Sequence, residues 1–120
     1  MGYLIGEFSN ITGLSVDTLR YYEKEKLIFS HRDNINRRIY NDSDVKWIEF
    51  TIRLKKTGMK ISDMKLYAEL RYIGDSTVPD RLKLLNTQLE KLENDRKKLN
   101  EDIEFLNQKI NIYKELLPTD

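Results

Sequence analysis

From Val78 to Leu117 the apolar residues recur at alternating steps of three and four without a slip. One seam position carries Leu82, Leu89, Arg96, Ile103, Ile110 and Leu117; the other carries Val78, Leu85, Leu92, Leu99, Leu106 and Tyr113. Eleven of these twelve positions are apolar, and most residues between them are charged or amide-bearing. A lone helix of this kind leaves its stripe in water, so the pattern calls for a second helix against it. At about 1.5 Å per residue the segment makes a rod of roughly 60 Å. A helix folded back onto its own domain is the competing explanation. It fits less well, because a straight 3.6-residue stripe drifts around the axis whereas this one keeps a 3.5-residue period over more than five heptads. Arg96 falls mid-seam, where a charge costs stability but can set register. Ile at one seam position with Leu at the other leans towards parallel pairing, but strand orientation does not follow from the seam. Thr77, with Pro79 in the first turn and Asp80 three positions on, resembles a capped helix start.

The remaining residues, before this segment, form one domain's worth of chain. Of all 120 residues 39% are hydrophobic and 34% charged, a balance suited to a small core plus a long exposed helix. Mean hydropathy is -0.64. There is no Cys, which excludes a disulfide framework, a thiolate metal site and a thiol redox sensor together, and fits a reducing cytoplasm. Residues 1–11 have neither a basic start nor a long apolar run, so no signal peptide is expected. No stretch approaches the roughly 18 apolar residues of a membrane span. The expected location is therefore the cytoplasm, and the Asn10 and Asn41 glycosylation-type triplets are chance matches. Net charge is only +1, but its distribution is uneven. Residues 1–60 hold 11 Lys/Arg against 8 Asp/Glu, net +3, while residues 61–120 hold 10 against 12, net -2. In the first half the cations cluster at Arg32, Arg37 and Arg38, then at Arg53, Lys55, Lys56 and Lys60. A phosphate backbone rewards such clusters, although scattered surface cations explain them equally well on charge alone.

Helical spacing predicts a first helix over 5–12, with Ile5, Phe8 and Ile11 on one face and Gly13 ending it. Ser15 offers a hydroxyl to cap a second helix running from Val16 to about Lys24, with Val16, Leu19 and Tyr22 inward. Two short helices joined by Gly-Leu-Ser make a helix-turn-helix candidate. From Phe29 to Tyr40 the helical pattern breaks. Turn formers at Asp33, Asn34 and Asn36 precede a strand-like Arg37-Arg38-Ile39-Tyr40, which predicts an arginine-rich β-hairpin. Asp42 or Ser43 is expected to cap a third helix of about 44–57, with Val45, Ile48 and Ile52 apolar and Gly58 stopping it. Ser62 is expected to cap a fourth, with Met64, Tyr67 and Ala68 inward and an end near Tyr72, before Gly74. Trp47, Phe50 and Ile52 read as core. The fold class is thus mainly α: a winged helix-turn-helix domain over 1–74, followed by a coiled-coil dimerisation helix over 77–117. On that helix Leu82, Leu85, Leu89, Leu92, Arg96, Leu99, Ile103, Leu106, Ile110 and Tyr113 form the pairing face.

The runs Tyr3-x-Ile5-Gly6-Glu7, Thr12-Gly13-x-Ser15 and Thr18-Leu19-Arg20-Tyr21-Tyr22-Glu23 closely resemble the opening of the MerR family of bacterial regulators. Leu27-Ile28, Arg32, Arg38-x-Tyr40 and Leu54-Lys55-x-x-Gly58 extend the resemblance over the first 70 or so residues. It implies that the second helix enters the major groove between two flanking wings. Carried over by position, Ser15, Thr18, Arg20, Tyr21 and Tyr22 belong to that helix, Arg37, Arg38 and Tyr40 to the first wing, and Lys55 and Lys60 to the region of the second. An arginine can fork onto a phosphate or a guanine edge, and a tyrosine hydroxyl can donate to phosphate oxygen. At least one of Tyr21 and Tyr22 is expected to be partly core.

Departures from the family pattern are Lys26 where Gly is frequent, Ser30 where Pro is common, and Asn36-Arg37-Arg38 in place of Gly-Tyr-Arg. Loss of that glycine makes a tight wing turn less expected. Trp47-Ile48-Glu49-Phe50 through Met59 is most similar to the aldehyde-responsive branch, which carries a reactive Cys where this chain has Arg53, so thiol-adduct sensing is excluded. No metal site is expected, since the lone His31 has no ligand set around it. No cofactor is expected either. After Leu117 only three residues remain, so an effector would bind between the fourth helix, the coiled coil and a partner subunit. Arg53, Tyr67 and Tyr72 are the residues assigned to such a site, while a chain with no effector at all fits equally well. The resemblance implies a homodimer acting on double-stranded promoter DNA, which it bends and untwists, with RNA polymerase as a further partner. An adaptor with a degenerate DNA-binding fold is the alternative. An enzyme is not expected: there is no Cys, one isolated His and no Gly-rich phosphate loop.

Overall fold

The structure is a computed structural model and describes residues 2–118. The chain runs β1 (Tyr3–Leu4), α1 (Ile5–Thr12), α2 (Val16–Lys24), β2 (His31–Arg32), β3 (Arg38–Tyr40), α3 (Asp42–Lys56), α4 (Ile61–Ile73), a 3-10 turn at Asp75–Thr77 and α5 (Val78–Leu116). It comprises two compact units, one reaching Leu84 and the other starting at Leu85. Among the described residues no helix is long and apolar enough to cross a membrane.

Ser15 caps α2 as its position suggests: its hydroxyl oxygen accepts from the Thr18 N–H at 3.1 Å and lies 2.8 Å from the Thr18 hydroxyl. Gly13 ends α1 in the left-handed region, φ 76°, its N–H donating to Ser9 O at 2.9 Å. The end of α2 is less ordinary, because Lys26 takes the same left-handed conformation at φ 60°. Leu27 N–H reaches Tyr22 O at 2.9 Å and Lys26 N–H reaches Glu23 O at 3.1 Å, the paired bonds of a Schellman cap.

The expected hairpin is present, but it is the edge of a three-stranded antiparallel sheet in the order β1-β3-β2. Tyr3 pairs with Tyr40 and Leu4 with Ile39, so residues 3–4, which carry no strand signal of their own, pin the wing to the start of α1. On the other side of β3, His31 pairs with Ile39 and Arg32 with Arg38. The turn is tight despite lacking glycine. Asn36 adopts φ 63° and its N–H donates to Asp33 O at 3.0 Å, since asparagine tolerates the left-handed region better than other non-glycine residues.

Two helix starts differ from expectation. Helix α3 is capped by Asn41 rather than Asp42 or Ser43, through a reciprocal pair: Asp44 N–H donates to Asn41 Oδ1 at 2.9 Å and Asn41 N–H to Asp44 Oδ2 at 2.8 Å. Helix α4 has Lys60, not Ser62, at its N-cap and makes no side-chain cap there. Thr77 also serves differently. Its hydroxyl donates back to Leu70 O at 2.6 Å and Gly74 O at 2.7 Å, terminating α4 instead of capping α5. Arg81 on the first turn of α5 seals the corner by donating to Thr77 Oγ1 at 3.0 Å and Gly74 O at 3.2 Å.

The core of the first unit gathers one face from each element: Phe8, Leu19 and Tyr22, Leu27 and Ile28, Tyr40, Trp47 and Ile48, Met64, Tyr67 and Ala68. Phe8 and Tyr40 stack at 4.2 Å and 4°, joining α1 to the sheet. Trp47 stacks on Tyr67 at 5.9 Å and donates its indole N–H to Leu27 O at 2.7 Å, so its burial leaves no orphaned donor. Of the three residues read as core on α3, Trp47 is buried, Ile52 half-buried and Phe50 exposed at the rim, its ring 5.5 Å from Tyr67.

Candidate nucleic-acid interface

With Leu19 and Tyr22 turned into the core, the remaining face of α2 presents Arg20 and Tyr21. Tyr21 is 47% exposed. The Arg20 side chain is 57% exposed and, among the described residues, forms an ion pair with Asp17 alone, 3.7 Å away. An exposed pair of this strength is worth little, so the guanidinium is free to exchange Asp17 for a phosphate or base edge. Ser15 and Thr18 sit at the start of the same helix, engaged with each other in the cap.

Asp33 organises the tip of the wing. Its Oδ1 accepts from Ile35 N–H at 3.0 Å and Arg37 N–H at 2.8 Å, and its Oδ2 accepts from Arg37 Nε at 2.8 Å. The Arg37 N–H, with further help from its guanidinium, holds the Asp33 carboxyl below its ordinary value. The Arg37 side chain is tethered by one nitrogen yet remains 55% exposed, its other donors available. Arg32 donates to Asn36 O at 3.3 Å from the neighbouring strand.

Arg38 and Tyr40 face the other way. Arg38 Nε donates to Glu23 Oε2 at 2.9 Å, and the Tyr40 hydroxyl donates to the same oxygen at 3.2 Å. Tyr40 has no exposed surface; burial, then the nearby Glu23 charge, pushes its hydroxyl up to about 12. Tyr22 is 3% exposed. These two tyrosines, assigned to the contact surface from sequence, are core residues beneath it, because the inward face of α2 and the last residue of β3 meet α1 there. Lys55 and Lys60 are exposed on either side of the turn between α3 and α4, where Gly58 sits at φ 85°.

The residues assigned to an effector site do not converge. Tyr67 lines a hollow of about 360 Å³ with Trp47, Phe50, Arg71 and Arg81. Tyr72 lines a separate one of about 790 Å³ with Lys24, Phe29 and Lys65, its hydroxyl accepting from Phe29 N–H at 3.3 Å. Arg53 lines neither. Sequence spacing puts Arg53 and Tyr67 on adjacent helices without fixing their rotation, and that rotation separates them.

Along α5 no residue is buried. Seam residues Leu82, Leu89, Leu99, Leu106 and Tyr113 are each more than half exposed, Leu92, Ile103 and Ile110 are exposed somewhat less, and Leu85 is half-buried. Arg96 pairs with Glu93 one turn earlier.

Glu23 has no role assigned from sequence beyond membership of the Thr-Leu-Arg-Tyr-Tyr-Glu run, yet it accepts hydrogen bonds from the loop after α2 and from β3 and forms an ion pair with Arg32 of β2. Asp33 likewise carries only a turn-former signal in the sequence. The signal for both was an acid inside a basic cluster.

A helix-turn-helix whose second helix shows an arginine to solvent beside a sheet-anchored arginine hairpin defines a winged helix-turn-helix protein. Residues 3–70 match the model of the MerR helix-turn-helix family of regulatory proteins. An uncharacterised helix-turn-helix transcriptional regulator of Haemophilus influenzae is 33% identical over 114 residues, covering 94% of this chain and 84% of that protein. The crystal structure of HiNmlR, a MerR family regulator lacking the sensor domain and bound to promoter DNA, superposes with a TM-score of 0.75 at 33% identity, covering 96% of this chain and 92% of that one. A MerR family regulator from Listeria monocytogenes gives 0.78 at 34% identity, covering 93% and 86%. The chain belongs to the MerR family and is a transcriptional regulator.

Proposed function

We propose that this regulator acts as a homodimer on a near-palindromic site in promoter DNA, with residues 1–74 as the DNA-binding domain and residues 77–117 as the dimerisation helix. The observation that carries the reading is the exposed, weakly paired Arg20 on α2 beside a wing whose Arg37 also points to solvent. Arg20 and Tyr21 are the groove-reading residues, Ser15 and Thr18 hold the N-terminus of that helix, and Arg37, Lys55 and Lys60 are the flanking phosphate contacts. The promoter DNA held by HiNmlR, a relative over nearly the whole chain, supports the partner. An α5 seam left in water from Leu82 to Tyr113 supports the dimer, since pairing removes that apolar surface from solvent. Two copies so tied meet a duplex at half-sites related by their two-fold axis. Bending and untwisting the promoter costs of order 1–6 kcal/mol, offset by the wing contacts, and brings displaced polymerase elements onto one face. RNA polymerase is then the partner that benefits, in the cytoplasm.

Binding to duplexes selected from random-sequence DNA tests this. Arg20→Ala is expected to weaken affinity by about ten- to hundredfold and to relax preference at one base position. Arg37→Ala is expected to weaken all duplexes alike and to lower the salt slope by about one. Wild-type affinity in Arg20→Ala refutes the assignment of α2.

A further inference from the structure

The last turn of α2 carries an acid where the proposed surface needs positive charge. The Glu23 side chain is 21% exposed and does not stand free. Its Oε2 accepts three bonds: from Arg38 Nε at 2.9 Å, from the Tyr40 hydroxyl at 3.2 Å and from the Ser30 hydroxyl at 3.2 Å. Its Oε1 lies 3.8 Å from the Arg32 guanidinium. These three hydrogen bonds and one ion pair come from the loop after α2, from β3 and from β2, so one carboxylate ties both wing strands to the helix proposed to enter the groove.

We infer that Glu23 is a positioning residue for DNA reading: it makes no contact with DNA but locks the wing to α2, and so sets the spacing between the groove-reading and phosphate-holding arginines. Two physical points carry this. The Tyr40 hydroxyl is buried and donates to Glu23, so removing the carboxylate takes its charged acceptor from the core. Arg32 and Arg38 are paired neighbours on adjacent strands that share Glu23 as counter-ion; without it their like charges push the strands apart. The other anchors of the wing, the pairing of β3 with β1 and the Phe8–Tyr40 stack, reach α1 and β1 but not α2.

The inference rests on the proposed DNA-binding function, and simple electrostatics gives it an opposing expectation. Deleting an acid raises net charge from +1 to +2, which by counterion release alone tightens binding to any duplex. A positioning role predicts the reverse for selected sites. Affinities of the full chain would be measured for the highest-affinity duplex selected from random DNA by the wild type, and for a scrambled duplex of equal length. Glu23→Ala is expected to bind the selected duplex about tenfold more weakly while binding scrambled DNA as well as or better than wild type. Glu23→Gln, which keeps an acceptor for Tyr40 but not the charge, is expected to recover about a third of the lost discrimination on a logarithmic scale. Equal or tighter binding of Glu23→Ala to both duplexes overturns the inference. Amide exchange in the absence of DNA tests the clip separately: Arg38 and Tyr40 N–H are expected to exchange about tenfold faster in Glu23→Ala, with α1 unchanged. Unaltered exchange there removes the clip even if DNA binding stands. A wild type indifferent to every duplex removes the DNA function on which it depends, even if the exchange result holds.

Discussion

Lys26 and Asn36 each take a backbone conformation that favours glycine, at the two turns that decide where the wing leaves α2 and where it reverses. A left-handed non-glycine residue costs about 1–2 kcal/mol, less for asparagine, whose side chain bonds locally. Lys26→Gly therefore relieves strain at the Schellman cap, offset partly by glycine's freedom in the unfolded chain. The expected net gain is about 0.5–1 kcal/mol, read as a higher midpoint in denaturant unfolding; a lower midpoint contradicts the strain. Asp33 provides a pH handle. Its carboxyl is held below 3.8 by the Arg37 N–H and guanidinium, so its stabilisation of the wing tip is complete above that value and is lost as pH falls through the depressed one. The amide shifts of Ile35 and Arg37 are expected to titrate with a midpoint below 3.8. Movement centred nearer pH 5 argues against the Asp33 tether.

At the scale of elements, the caps decide how the DNA-binding unit is assembled. Asn41 links the end of β3 to the start of α3 by two reciprocal bonds with Asp44, itself buried. Asn41→Ala is expected to cost about 1–2 kcal/mol in thermal or denaturant unfolding, more than an exposed cap, because Asp44 loses a partner in the core. A loss under about 0.5 kcal/mol would mean that water replaces the bond. The caps also show where sequence reading stops. Asp42 and Ser43 are as good capping residues as Asn41, and Ser62 is better than Lys60, so composition cannot choose among neighbours. The choice falls to the chain direction imposed by β3 before α3 and by the Gly58 turn before α4. Strand β1 was invisible for a related reason. Two residues have no periodicity, and Tyr3 and Leu4 become a strand only because Tyr40 and Ile39 lie alongside.

For the molecule as a whole, α5 exposes apolar side chains along its length from Val78 to Leu116, and its seam is interrupted once. Arg96 lies among Leu92, Leu99 and Ile103, with Glu93 as its own-helix partner. If two copies pair along this seam, Arg96→Leu removes a charge from the contact and is expected to tighten self-association by about tenfold or more, measured by sedimentation equilibrium. Leu99→Glu is expected to weaken it at least as much. Association unchanged by both substitutions takes the seam out of the dimer.

Local pattern alone was sufficient for α1, α2, α5 and the arginine hairpin, because apolar period, a Ser cap and turn residues each act within a few neighbours. The family motif placed Arg20, Tyr21 and Arg38 on the right elements for the same reason. Which of those side chains face water was settled only in three dimensions. Tyr21 and Tyr22 are adjacent and identical, yet folding buries one and leaves the other open; Arg37 and Arg38 divide in the same way, one to Asp33 at the exposed tip and one to Glu23. A bond between residues 15 and 17 positions apart has no trace in spacing, so the carboxylate that joins helix and wing became visible only once the chain had folded.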